Sequence, residues 1–200
     1  SSDVCSSDLD LGFCATARHI HLSGVFAGVS ESARQVMFEM ARRARAQGAT
    51  LSFDTNLRPG MWPSKGEMID CINRLALMAD WVLPGLGEGR LLTGHDEPEA
   101  IGEWYLSRGV RAVVIKLGED GAYCAERDKS SHVPGRRVEK VVDTVGAGDG
   151  FAVGLIAGLL EGHDLPIATA WGNAIGARVV QFPGDSDGLP DRKQLQAMMA

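Results

Sequence analysis

The stretch Asp143–Phe151, "DTVGAGDGF", puts three glycines and two aspartates into nine residues, directly ahead of the apolar run "AVGLIAGLL". Glycine costs a helix about 1 kcal/mol relative to alanine, so a helix that begins this way needs a compensating reason. If the helix starts at Gly146, the amides of Gly146, Ala147, Gly148 and Asp149 lack intrahelical partners and carry the positive end of the helix dipole behind them. That combination binds anions, phosphate among them. The missing Cβ atoms let a phosphate oxygen reach bare backbone. Asp149, in the first turn beside this pocket, is placed to take the proton of a hydroxyl that attacks a phosphoryl group held there. Packing is the competing explanation: Gly146, Gly150, Gly154, Gly158 and Gly162 recur every fourth residue, a stripe along which another element can come close. Packing suits the last three and leaves Asp149 unexplained.

Outward from this motif, "VEKVVD" (138–143) reads as a strand feeding the helix, and strand and helix alternate along the rest of the chain. "HIHLSG" (19–24) is a short strand. Ser30 caps a helix with apolar positions Ala33, Val36, Met37, Met40, Ala41 and Ala44, and Gly48 stops it. "TLSFD" (50–54) is a second strand. Ser64-x-x-Glu67 is a capping box opening a helix through Ala79, and "DWVLP" (80–84) is a third strand. A short helix after Glu88 and a longer one over 98–108 lead to "RAVVIKLG", whose β-branched run suits a strand buried on both faces. "GAYCAE" and "RDKSS" form a hairpin, and helices close the chain over 146–161, 166–182 and 191–199. The pattern predicts one α/β layered domain with a largely parallel sheet.

Composition excludes several function classes. The 200 residues carry a net charge of -6, which argues against nucleic acid or an anionic membrane as partner. The run Arg42, Arg43, Arg45 reads as a solvated helix face. The apolar run after Phe151 is far shorter than the ~20 residues that span a bilayer. Cys5, Cys14, Cys71 and Cys124 show neither zinc-site nor disulfide spacing, so a reducing cytoplasm is expected. "SSDVCSSDLD" is polar and repetitive and reads, over residues 1–9, as a leader foreign to the fold.

"DTVGAGDGF" resembles the second signature of the ribokinase-like (PfkB-type) carbohydrate kinases. The resemblance extends over residues 18–199 and implies a layered αβα fold, ATP and Mg2+ as cofactors, and a sugar as acceptor. It makes Asp149 the catalytic base and the Gly146, Ala147 and Gly148 backbone an anion hole. In "VVIKLGEDGAY", where the residues alone indicate only a strand and a hairpin turn, it lays Lys116, Gly118 and Gly121 along ATP. It puts Asn173 of "GNAIGA" on the adenine side, where the bland alternative is a helix-surface amide.

An arginine in a stiffened loop just after a strand can pair bidentately with a carboxylate or phosphate, or simply sit on the surface. "FDTNLRPGMW" is similar to the 2-keto-3-deoxygluconate kinases of this family, which gives Arg58 the carboxylate of a sugar acid and places Asn56 near ATP. "GDSDGLP" (184–190) also looks like that subgroup, without a firm role for Asp185 or Asp187. "PGLGE" keeps the family glutamate that helps place magnesium, Glu88, but has Gly85 where an asparagine is usual. Asp143 and the carbonyl of Val145 match a site for a monovalent cation such as K+. The family's first third, with its lid, has no counterpart, so the chain reads as a carboxy-terminal part, and a homodimer is an option for the full-length protein only.

Other readings fare worse. "WVLPGLGEGRLLTG" lies between strand and helix, but its glycines run G-x-G-x-G, Pro84 abuts them and Gly94 ends the helix early, against a dinucleotide fingerprint. His19, His21, His95, His132 and His163 show no ligand spacing. Kinases for 5-keto-2-deoxygluconate or fructose, and a catalytically inactive nucleotide- or sugar-binding fragment, remain the alternatives.

Overall fold

The computed structural model describes Gly12 and residues 16–199. The leader expected over residues 1–9 lies outside the described residues. The chain divides into two compact units between Val113 and Val114.

In the first unit, strands β1 (His19–Ser23), β2 (Thr50–Asp54), β3 (Trp81–Val82) and the start of β4 (Ala112–Lys116) run parallel in that order. Leu22 pairs with Phe53, and Val82 lies between Phe53 and Val113, so one row of apolar side chains crosses four strands. All four of these residues are buried. Helices α1 (Gly24–Ala27), α2 (Glu31–Ala46), α3 (Lys65–Ala76), α4 (Leu86–Thr93) and α5 (Pro98–Leu106) make the connections. Two start where their caps predict: the Ser30 hydroxyl accepts the Ala33 amide, and the Ser64 hydroxyl accepts the Glu67 amide, both at 3.1 Å. Gly48, at φ +73°, turns the chain after α2.

In the second unit β4 continues beside β5 (Ala122–Glu126), which pairs antiparallel with β6 (Lys129–Val133). The sheet is therefore mixed, with parallel strands followed by a hairpin, and the fold is α/β. Helices α6 (Ala147–Leu160), α7 (Leu165–Val179) and α8 (Arg192–Met199) follow, with α7 packed against α6, α8, β5 and β6. Glycine makes the α6–α7 contact close: a Cβ at Gly154 would lie 2.6 Å from the Trp171 carbonyl oxygen, and one at Gly158 2.8 Å from Ala168 Cα. Gly150 belongs to the same face, against Val179. Gly162 does not, because it stands beyond the helix end at φ +88° with open space around it.

Several boundaries differ from the sequence expectation, each for a tertiary reason. Residues 138–143 are not a strand. Instead the amides of Val142 and Asp143 both donate to the Val180 carbonyl at the end of α7, at 2.7 and 3.2 Å. A helix C-terminus offers unpaired carbonyls, and here it outcompetes the β preference of valines that stay about half exposed (54% and 49% at Val141 and Val142). Helix α3 stops at Ala76, since Met78 and Ala79 bond to carbonyls only three residues back. Helix α7 opens at Leu165, where the Asp164 carboxylate accepts the Ile167 amide at 3.0 Å, and ends at Val179. Helix α4 begins two residues before Glu88, not after it.

Candidate active site

The start of α6 is an open one. Its N-cap, Gly146, has φ +77°, and a Cβ there would come 2.6 Å from the backbone of Asp185, so conformation and space both require glycine. Ala147 N reaches the Thr144 carbonyl at 3.4 Å, Gly150 N closes the first turn on Gly146 O at 2.8 Å, and no side chain caps the helix. The amides of Gly148 and Asp149 are thus left as donors at the positive end of the helix. The Asp149 side chain is exposed. Just before the helix, Asp143 accepts the Val145 amide at 3.0 Å and the Gly184 amide at 3.3 Å. These two bonds hold its carboxyl below the usual aspartate range, and the second clasps Gly184 to the loop that carries Gly146. Asp143 and Val145, expected at a monovalent cation, are joined here by an amide–carboxylate bond.

A cavity of about 810 Å³ opens over this helix start, in the size range of small-molecule sites. Ala147, Gly148, Lys116, Gly118, Gly121 and Asn173 all line it, so the cavity gathers residues from three separate sequence segments. Lys116 Nζ lies 3.6 Å from where a Gly148 Cβ would be, which sets an ammonium beside the open amides. Gly118 (φ +67°) and Gly121 (φ +94°) form the tight turn after β4, and a Cβ on Gly121 would overlap the Val133 carbonyl and the Gly135 amide. Asn173 is no surface amide: it is 7% exposed, and its Nδ2 donates to the carbonyls of Val133 and Pro134 at 3.0 and 3.1 Å. Its visible work is to brace the segment after β6 that walls the cavity. Asp149 itself does not line the cavity; it follows Gly148 at the helix start.

The sequence reading missed Arg136 and Arg137, which also line the cavity. The signal was available: two adjacent arginines directly after a Pro-Gly turn at the end of a strand. Phe151, Val141 and Val180 supply an apolar wall. A cavity lined by apolar side chains, cations and open amides suits a ring attached to a polyphosphate.

In the first unit, Asn56 and Arg58 share a loop following β2. Asn56 sits at φ +34°, donates its side-chain amide to Ser23 Oγ at 2.9 Å and its backbone amide to Asp54 Oδ1 at 3.2 Å. Arg58 is exposed and donates Nη1 to the Leu57 carbonyl at 2.8 Å. Both oxygens of Glu88 accept hydrogen bonds from the chain. Its Oε2 accepts the Thr55 hydroxyl (2.7 Å) and the Gly85 amide (2.8 Å), and its Oε1 accepts the Leu57 amide (2.7 Å). Among the described residues no group of three or more His, Cys, Asp or Glu side chains could hold a metal ion. The donor set therefore does not fit a magnesium ion caged by protein. Such an ion ordinarily comes with substrate phosphates and keeps several waters.

Among the described residues no helix is long and apolar enough to cross a membrane. Cys71 and Cys124 are buried free thiols.

Comparison with known proteins follows the same direction. The chain is 43% identical over 200 residues to the 2-dehydro-3-deoxygluconokinase of Bacillus subtilis, spanning all of this chain and 62% of that protein. It is 32% identical over 183 residues to the 5-dehydro-2-deoxygluconokinase 2 of Bacillus cereus, covering 89% of this chain and 55% of that one. In structure it is similar to the aminoimidazole riboside kinase of Salmonella enterica complexed with aminoimidazole riboside and an ATP analog, with a TM-score of 0.85 and 31% identity over 98% of this chain and 67% of that one. The chain thus spans roughly 55 to 62% of the length of these curated relatives. Residues 5–192 match the pattern of the pfkB family carbohydrate kinases, and the chain belongs to that family.

Proposed function

We propose that the full-length protein phosphorylates a hydroxyl of a sugar acid, 2-keto-3-deoxygluconate, with ATP as donor. The observation that carries this reading is the α6 start: open Gly148 and Asp149 amides, the Lys116 ammonium beside them, an exposed Asp149 side chain, and a ligand-sized cavity lined by Ala147 and Gly148. The nucleotide occupies that cavity, its ring against Phe151, Val141 and Val180 and its phosphates toward Lys116 and the Gly146–Gly148 backbone. Asp149 accepts the proton of the acceptor hydroxyl as the new P–O bond forms. Amides fixed in advance stabilise charge on the moving phosphoryl group without reorganising. Magnesium supplies charge neutralisation when it arrives with the nucleotide. Arg58 pairs with the carboxylate of the acid, and its planar fork favours that group over a neutral hydroxyl. Free buried thiols fit a cytoplasmic enzyme.

The substrate is supported by the 43% identity to the Bacillus subtilis enzyme. A second reading, 5-keto-2-deoxygluconate as substrate, is supported by the Bacillus cereus relative. The test is ATP-dependent phosphorylation of each acid, and of fructose, by the full-length protein. Product from 2-keto-3-deoxygluconate that disappears in Asp149→Asn supports the proposal. Nucleotide binding without product from any of them would replace it with a non-catalytic binding module.

A further inference from the structure

The glutamate that the sequence assigns to magnesium spends both oxygens on its own chain. Oε1 receives the Leu57 amide, and Oε2 receives the Thr55 hydroxyl and the Gly85 amide, all at 2.7 to 2.8 Å. Thr55 is fully buried and Leu57 nearly so. Between them stands Asn56, the one non-glycine residue with positive φ among the described residues. Asparagine is among the few side chains that tolerate that conformation, and Glu88 grips the residue on either side. The Asn56 amide is held in turn by Asp54, and its side chain by Ser23. Arg58 is the next residue after Leu57.

We propose that Glu88 is a positioning residue: its carboxylate locks the Thr55–Leu57 turn and so fixes where Arg58 stands. The inference rests on the reading of Arg58 as the residue that meets the sugar acid. Chemistry makes the acid hard to replace. A carboxylate is acceptor-only, whereas glutamine has an NH2 group at one terminus. Either orientation of that amide sets a donor against the Leu57 N–H or against the Gly85 N–H. Glu88→Gln therefore breaks the lock although it is nearly isosteric.

The experiment uses the full-length protein with Glu88→Gln and, in case that variant does not fold, Thr55→Val, which removes one donor and keeps the charge. Amide hydrogen exchange at Leu57 needs no substrate and reads the lock directly: the expected result is at least tenfold faster exchange in Glu88→Gln and a smaller acceleration in Thr55→Val. In activity, KM for the sugar acid rises about tenfold while KM for ATP and the half-activating Mg2+ concentration stay within twofold. Unchanged Leu57 exchange in both variants overturns the proposal, as does a large rise in Mg2+ requirement with an unchanged sugar-acid KM. Arg58→Ala, run alongside, separates the two layers. An unchanged sugar-acid KM there overturns the role given to Arg58, while Leu57 exchange still decides whether Glu88 holds the turn.

Discussion

Helices α4 and α6 begin with the same local formula and put it to opposite uses. Each has a glycine N-cap, Gly85 or Gly146, and each carries an acid at the third helical position, Glu88 or Asp149. Gly85 is extended, at φ -72° and ψ 155°, and the longer glutamate folds back onto its amide and onto the loop after β2. Gly146 is left-handed, and the shorter aspartate makes no such return, so both its carboxylate and the helix amides stay open. Backbone conformation at the cap and one methylene group decide whether the acid becomes a staple or remains available for chemistry.

The largest test of this contrast removes the available acid. Asp149→Asn should lower kcat by about 10²- to 10⁴-fold, the range for general-base removal, with ATP affinity within a few-fold of the parent by calorimetry. Retention of a tenth or more of the turnover would erase the distinction. The two caps come next. Gly146→Ala meets both a left-handed backbone and the Asp185 main chain, and should cost about 2–4 kcal/mol in urea denaturation. Gly85→Ala meets only the Glu88 side chain at 3.4 Å and ordinary φ, and should cost less than about 1 kcal/mol. Equal costs would mean that the two caps are not different in kind.

Lys116→Met should weaken ATP binding by about tenfold, on the order of 1.4 kcal/mol, measured by calorimetry. The smallest effect concerns the clasp at Asp143. Its carboxyl is held down by the amides of Val145 and then Gly184, so its contribution is complete above the unfolded value of 3.8 and is lost as pH falls through the lower folded value. An NMR titration that follows the Gly184 amide should therefore show a midpoint below 3.8. A midpoint at or above that value would remove the clasp.

Much of this was legible in the chain because it is written locally. Ser30 and Ser64 announce their helices through one hydroxyl and one amide each, and the alternation of apolar runs with capped helices gives the α/β class. The glycine-rich start of α6 was legible for the same reason, since its backbone requirement is local. What escaped depends on partners far away in sequence. Val138–Asp143 has strand composition, but the carbonyl of Val180 takes its amides. Nothing near Asn173 reveals that it braces carbonyls 39 and 40 residues earlier. Glu88 was expected at magnesium from the resemblance alone, yet its three partners come from two loops, one of them more than 30 residues away. A glutamate's identity states what it can accept, not who will donate.

The most direct measurement is a crystal structure of the full-length protein with a non-hydrolysable ATP analogue and the sugar acid. The predicted result has the terminal phosphate within hydrogen-bond distance of the Gly148 amide, and the Asp149 carboxylate facing the acceptor hydroxyl. A nucleotide bound away from the α6 start, or an Asp149 turned into a salt bridge with the protein, would contradict it.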